Sequence, residues 1–191
     1  MLRTKSTKEL TAYENKLREY YWKCFISEFS KVFIFLIIFS LLGLLPEYLI
    51  ALLSLVPLRN HGGGLHCKHY LSCLLVSFSF LSASIVLATY LVPPKPFIFI
   101  STLLCAVIGY CLVPITSNSR PPATFEQRKK SKRNTAIIIL LFFLLLCICA
   151  HNTYLYICYW TVILHIFQLI IGYFIKEVKQ NVWLGNEIWF Y

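Results

Sequence analysis

The residues of this chain best suited to chemistry converge on one stretch, Leu58-Arg-Asn-His-Gly-Gly-Gly-Leu-His-Cys-Lys-His-Tyr-Leu-Ser-Cys73. It carries three histidines (His61, His66, His69), two thiols (Cys67, Cys73), the cations Arg59 and Lys68, and the consecutive glycines Gly62, Gly63 and Gly64. A cysteine attacks a carbonyl as its thiolate. Cys73 could therefore be a nucleophile if a histidine, the positive end of a helix, or Arg59 and Lys68 stabilise the sulfur anion. Consecutive glycines disfavour helix and let backbone N–H groups approach a developing oxyanion closely. His69 and Cys73 are four residues apart and His66 and Cys73 seven apart, so either pair shares a helix face. Two helical turns separate the second pair by about 10.5 Å, so a contact between them needs a bend before the helix. Cys67, next to His66, is a third candidate. The usual role of a cysteine in an apolar run is packing, and composition alone does not select among these residues.

A metal reading has to be weighed as well, because His61, His66, Cys67, His69 and Cys73 offer five donors within thirteen residues. The spacing fits no zinc-finger pattern, no HExxH helix is present, and no acidic residue stands nearby as base or outer-sphere partner. No metal and no cofactor is expected. His151 and His165 stand apart from the cluster and read as a turn residue and a helix-interface residue.

The elements that position this stretch follow from composition. Of 191 residues 58% are hydrophobic and 14% charged, with a mean hydropathy of +0.68. Soluble domains run at roughly 45–50% apolar and about 25% charged, so the chain reads as an integral membrane protein in one domain, residues 1–191. Its net charge of +10 is concentrated in blocks beside apolar runs, which argues for topology signals and lipid contact and against nucleic acid. At least five of the eight cysteines lie in apolar runs, so no disulfide framework is expected.

Residues 1–31 form a polar segment of mixed charge with no apolar signal-peptide core. Within it Tyr13, Leu17, Tyr20, Tyr21, Cys24 and Phe25 recur at helical spacing, predicting an amphipathic interfacial helix over 11–29. The apolar pieces 32–45 and 48–58, split by Pro46 and Glu47, are each shorter than the roughly 20 residues a span requires. They predict a short hairpin bent at Pro46. Better spans follow at 71–92, 97–113, 136–150 and 154–175. The fold class is thus all-α and polytopic: an amphipathic helix, a Pro-bent hairpin and four transmembrane helices, up to six membrane-inserted segments in all. Segment 59–69 is the candidate catalytic loop. Segment 116–134, with Arg128, Lys129, Lys130, Lys132 and Arg133, is a basic loop assigned to the cytoplasm, and counting spans puts the N-terminus, the catalytic loop and the C-terminus on that side too. A single crossing by 32–58, with an external N-terminus, is the rival topology. Trp183, Trp189, Phe190 and Tyr191 read as an interfacial anchor.

Arg59, the glycines before His66, and Cys73 seven residues after it resemble the signature of the accessory gene regulator B family, membrane cysteine endopeptidases of Gram-positive quorum-sensing systems. Size, hydropathy and the basic loop two spans later extend the resemblance over most of the chain. It implies that His66 and Cys73 form a catalytic dyad, that Arg59 and Gly64 support it, and that Lys129, Lys130 and Lys132 belong to the family's basic loop. Cys67 departs from the family pattern, in which a small residue is common. The implied substrate is a short propeptide with an amphipathic leader, a central signal segment with Cys or Ser, and an acidic C-terminal tail. The implied reaction removes the tail and helps to close a thiolactone or lactone ring in a bacterial cell membrane. Lipid and a second copy of the chain are admitted as partners. The expected chemistry is attack by Cys73, proton transfer by His66, and oxyanion stabilisation by Arg59 with the amides of Gly62, Gly63 and Gly64. Arg128, Lys129, Lys130, Lys132 and Arg133 would attract the acidic tail. The alternatives are a non-enzymatic transporter or assembly factor, for which Glu47 is the sole midplane polar candidate, and a metal-dependent intramembrane hydrolase.

Overall fold

Backbone that enters hydrocarbon has to satisfy its own hydrogen bonds, and the apolar runs of this chain do so as helices. The computed structural model describes residues 7–64, 69–113, 125–148 and 152–181. Among them are six helices: α1 (Thr7–Leu41), α2 (Leu45–Gly62), α3 (Tyr70–Tyr90), α4 (Lys95–Leu112), α5 (Phe125–Ile148) and α6 (Thr153–Asn181). Tyr21–Leu41, Tyr70–Tyr90, Lys95–Leu112, Phe125–Ile148 and Thr153–Ile175 are each long and apolar enough to cross a membrane. The chain is an all-α polytopic membrane protein.

The first hairpin differs from the sequence expectation in two ways. The amphipathic segment and the apolar piece after it are one helix, α1, whose Tyr21–Leu41 stretch is 21 residues long, about 31 Å at 1.5 Å per residue. Ser30 and Lys31 do not interrupt it, because Ser30 Oγ bonds the Ser27 carbonyl and Lys31 pairs with Glu28 one turn back. The reversal, in turn, is made at Gly43 and not at Pro46. Gly43 takes the left-handed conformation (φ +71°), the Leu44 N–H reaches the Phe39 carbonyl at 2.8 Å, and the Gly43 N–H reaches the Ser40 carbonyl at 3.1 Å. This pair of bonds is the Schellman closure of a helix C-terminus. Pro46 then sits in the first turn of α2, where its missing N–H costs no intrahelical bond. Glu47, the polar residue expected at a midplane in the transporter reading, lies in that same first turn of α2.

Beyond the turn the hairpin zips up through Phe39 stacked on Tyr48 (centroids 5.0 Å apart), while the Tyr48 hydroxyl donates to the Val32 carbonyl at 3.1 Å. α6 is the helix the others pack around, with 56% of its span window buried. Ile157 joins the cluster built by α1, α2 and α3; Val162, Ile166 and Leu169 join the one built by Leu58, α4 and Ile139; Tyr159 packs with Ile98 and Leu146. Gly109 lets α4 approach α5 and α6 closely. A Cβ there would lie 3.1 Å from Ile166 Cδ1 and 3.2 Å from Ile139 Cδ1.

Both Cδ1 atoms are ends of rotatable side chains, so Gly109→Ala is expected to be tolerated. Gly109→Leu overpacks the three-helix contact and should cost about 1–3 kcal/mol. Thermal unfolding of the detergent-solubilised protein, followed by tryptophan fluorescence, checks this as a lowered midpoint for Leu and a near-native one for Ala.

Candidate active site

The candidate catalytic stretch lies where α2 ends and α3 begins, and glycine chemistry ends α2. Gly62 is still helical and is buried against the other helices, where a Cβ would lie 3.0 Å from His165 Nε2, 3.6 Å from Val113 Cγ2 and 3.7 Å from Leu169 Cδ1. A side chain there would press on the His165 ring. Gly63 turns left-handed (φ +82°), and its N–H donates to the Arg59 carbonyl at 3.0 Å. The Gly63 amide is thereby committed to closing the helix. Gly64 lies over the Arg59 side chain, with its Cβ position 3.6 Å from Arg59 Nε. His66 and Cys67 lie outside the described residues.

α3 opens at His69, whose backbone is extended (φ −98°, ψ 136°) and whose carbonyl accepts the Cys73 N–H at 3.1 Å. The four-residue spacing therefore sets His69 at the helix boundary with an exposed side chain, not within a regular helix face. Cys73 sits at the end of the first turn of α3 and is 6% exposed. A thiol near a helix N-terminus feels the positive end of the backbone dipole.

Its surroundings include residues that sequence reasoning did not select. Lys31, on α1 and only 2% exposed, donates from Nζ to Cys73 Sγ at 3.2 Å and to Glu28 Oε1 at 2.7 Å. The other oxygen of Glu28, Oε2, accepts from Arg59 Nη1 at 3.4 Å. One connected set of charges thus runs from Arg59 on α2 through Glu28 and Lys31 on α1 to the sulfur on α3. A 2.7 Å hydrogen bond between Ser30 Oγ and the Tyr70 hydroxyl joins α1 to α3 beside it. The other described cysteines differ. Cys105 packs in an apolar cluster, Cys158 accepts from the Ser54 hydroxyl at 3.2 Å, Cys111 and Cys147 lie exposed on the helix surface, and Cys24 is half-buried. Among the described residues, Cys73 is the cysteine whose sulfur meets a cation. The signal that could have pointed to Lys31 is Glu28-x-x-Lys31, an acid and a base one turn apart at the start of an apolar run.

Glu28 also faces an open groove of about 1220 Å³ along the outer part of α1, lined by Arg18, Tyr21, Trp22, Phe25 and Asn60 among others. At its far end Lys23 bonds Glu19 at 2.7 Å, and this hydrogen bond holds the Glu19 carboxyl below its ordinary range. Arg128, Lys129, Lys130, Lys132 and Arg133 are on the first turns of α5 and so are helical, not in a loop. Arg128, Lys129, Lys130 and Arg133 are exposed, and the Lys132 ammonium lies over the Tyr110 ring, 5.8 Å from its centroid. Residues 114–124, and the aromatic segment with Trp183 and Trp189, fall outside the described residues. Among those described, no three His, Cys, Asp or Glu side chains converge where an ion could sit. His165 is a fully buried helix-interface residue, and neither ring nitrogen has a hydrogen-bond partner.

These features define a multi-pass membrane protein with a cation-paired thiol at the junction of three helices. Residues 3–169 match the family model described as Accessory gene regulator B, and the chain belongs to that family. Membership gives it a role in accessory gene regulator, quorum-sensing peptide processing, in a peptidase-like family whose partner is an AgrD-like propeptide. No curated protein and no solved structure matches the chain.

The close approach at Gly62 generates a specific expectation. Gly62→Val drives a side chain into the His165 ring and should lower the thermal midpoint, and His165→Ala in the same chain should restore much of it. The coupling between the two sites, measured as non-additivity of unfolding free energies, is expected at about 0.5–3 kcal/mol.

Proposed function

We propose that the protein is a membrane-embedded cysteine endopeptidase that cuts the C-terminal tail from its propeptide through an acyl-thioester on Cys73 and promotes ring closure. The observation that carries this reading is the sulfur of Cys73 itself, at the first turn of α3 and in contact with a buried cation. His66, seven residues before it, accepts the thiol proton. The thiolate then attacks the carbonyl preceding the tail, and the carbonyl oxygen becomes an oxyanion held by the Arg59 guanidinium and the Gly64 amide. The Gly62 and Gly63 amides serve the end of α2, so their support is to place Arg59 and Gly64. Protonated His66 gives its proton to the leaving amine, and the C–N bond breaks.

The substrate's own thiol or hydroxyl, giving up its proton to the now neutral His66, next attacks the thioester. The new ring bond forms as the bond to Cys73 Sγ breaks, and the sulfur leaves as thiolate. With a thiol nucleophile one thioester replaces another and the acyl activation survives, whereas water would discard it. Burial of the sulfur keeps water scarce, and tethering gives the internal nucleophile a high effective concentration.

The groove along α1 supplies an apolar and charged channel leading to Glu28, suited to an amphipathic leader. The basic turns of α5 suit an acidic tail through an attraction that salt weakens. By the positive-inside rule these turns face the cytoplasm, together with the N-terminus, the site and the C-terminus. The 1–191 chain works as one integral membrane unit, and a homodimer is compatible with it.

Propeptide incubated with the lipid-reconstituted protein tests the reading by mass spectrometry. Wild type should release the tail and carry a transient acyl adduct on Cys73. Cys73→Ser and His66→Ala should each lose at least about 10³-fold in tail release, the scale seen when one member of a nucleophile–base pair is removed. Cys67→Ser and His69→Ala should retain cleavage. Undiminished cleavage by Cys73→Ser rejects the mechanism.

A further inference from the structure

We propose that Lys31 is a catalytic cation that holds the Cys73 sulfur as an anion and aims it, with Glu28 and Arg59 as positioning residues behind it. The proposal rests on Cys73 being the nucleophile and adds what makes it reactive.

The first support is direction. A lysine on a transmembrane helix ordinarily extends its stem toward the nearest polar interface and leaves its ammonium in water. Lys31 does the reverse. It is 2% exposed, turned inward across the α1–α3 contact, and its Nζ lies 3.2 Å from Cys73 Sγ. A neutral thiol is a weak acceptor and a thiolate a strong one. A purely structural ion pair would be complete at Glu28 and would gain little from a sulfur.

Charge balance is the second support. Among the described residues, Lys31, Arg59 and Glu28 bring two cations and one carboxylate into contact, with the two cations largely buried and Glu28 partly exposed, which leaves one positive charge in excess. A Cys73 thiolate neutralises it. The other titratable groups on the elements around it are Tyr70 on α3, whose hydroxyl bonds Ser30 Oγ, His69 on α3, which is exposed, His61 on α2, which is half-buried, and His165 on α6, which is buried behind Gly62; His66, Cys67 and Lys68 precede α3. With the sulfur anion stabilised from α1, His66 is left to shuttle the proton between thiol and leaving amine. The cation also lowers the cost of expelling Cys73 as thiolate when the ring closes.

The third support is the clamp. Glu28 is held by Lys31 through one oxygen and by Arg59 through the other, so Lys31 is anchored to α2 as well as to α1. The carboxylate positions the ammonium at the cost of part of its field. Removing that carboxylate and removing the ammonium should therefore act on Cys73 in opposite directions.

The test is the rate at which iodoacetamide, small and neutral, alkylates Cys73 in the lipid-reconstituted full chain across pH 5–10, read by mass spectrometry with Cys111 and Cys147 as internal controls. Lys31→Met should slow Cys73 alkylation about tenfold or more at pH 7, the change for one unit in thiol acidity, and displace its pH profile to the alkaline side. Lys31→Arg should keep most of the wild-type rate. Glu28→Gln should displace the profile to the acid side. A Lys31→Met profile within about twofold of wild type across the range overturns the proposal, since that span corresponds to only a few tenths of a unit. If Lys31→Met does not fold, judged by accelerated alkylation of the buried Cys105 and half-buried Cys158, Glu28→Gln decides: an unmoved or alkaline-shifted profile overturns the proposal. Alkylation reports the thiolate without any propeptide. Failure of Cys73 as nucleophile would appear separately, as tail release by Cys73→Ser.

Discussion

A charge in or near hydrocarbon needs a partner, and in this protein that requirement joins three helices at one level. Breaking a buried ion pair by deleting one member costs about 3–5 kcal/mol, because the survivor is left uncompensated. Lys31 has only Glu28 and the Cys73 sulfur within reach of its ammonium among the hydrogen bonds described, and Glu28 reaches on to Arg59. From Arg59 back to Leu45 α2 climbs 14 residues, about 21 Å, so the charged layer stands that far from the end of the hairpin near Gly43. α1, α2 and α3 are joined at this layer by charge, and α1 and α2 at the other end by the Schellman turn with Phe39 on Tyr48. Two constraints of different chemistry fix the hairpin, and the thiol inherits its position from both.

The glycines complete the arrangement through geometry more than through donor groups. Gly62 lets α2 lie against His165 and Leu169 of α6 and Val113 at the end of α4, which brings the end of α2 into the middle of the bundle. Gly63 then closes the helix on the Arg59 carbonyl, fixing the backbone from which the guanidinium extends. Gly64 passes over that side chain at ordinary van der Waals distance. Each glycine therefore acts on Arg59 or on the helix that carries it. A sequence rich in glycine near a nucleophile invites an oxyanion-hole reading, but here two of the three amides already belong to a helix end.

Much of this was legible in the sequence, and the failures have specific causes. α3, α4 and α6 follow from uninterrupted apolar runs, and the Cys73 neighbourhood stands out because reactive residue types cluster there. Polar Ser30 and Lys31 look like a boundary in the sequence and divide α1 into two apparent elements. A hydropathy pattern scores each side chain alone, whereas the structure pairs Lys31 with Glu28 and continues the helix. The bend was put at Pro46 because proline is a strong breaker, yet a proline in a first turn starts a helix as readily as it ends one, and Gly43 three residues earlier has the backbone freedom that the reversal needs. The basic residues 128–133 looked like a loop because no apolar periodicity supports them. They are helical because the apolar run after them carries the helix inward and they extend it outward. The Lys31–Cys73 contact, 42 residues apart, was out of reach for any argument from spacing.

The same charge set bears on which nucleophile finishes the proposed reaction. Hydrolysis of a thioester and its exchange with a second thiol both pass through an oxyanion and both expel the enzyme thiolate, so stabilising that thiolate favours neither. The difference lies in what can enter. Water reaching the 6%-exposed sulfur has to come past Lys31, which is itself buried and already bonded to Glu28. A substrate thiol is less dependent on hydrogen bonds, because sulfur is a weak donor and a weak acceptor. It is also already present, tethered to the acyl group through its own chain, so its approach costs little further entropy. In the proposed mechanism the buried ammonium that activates the sulfur leaves little room for free water beside it, and that combination would favour a ring over a cut linear acid.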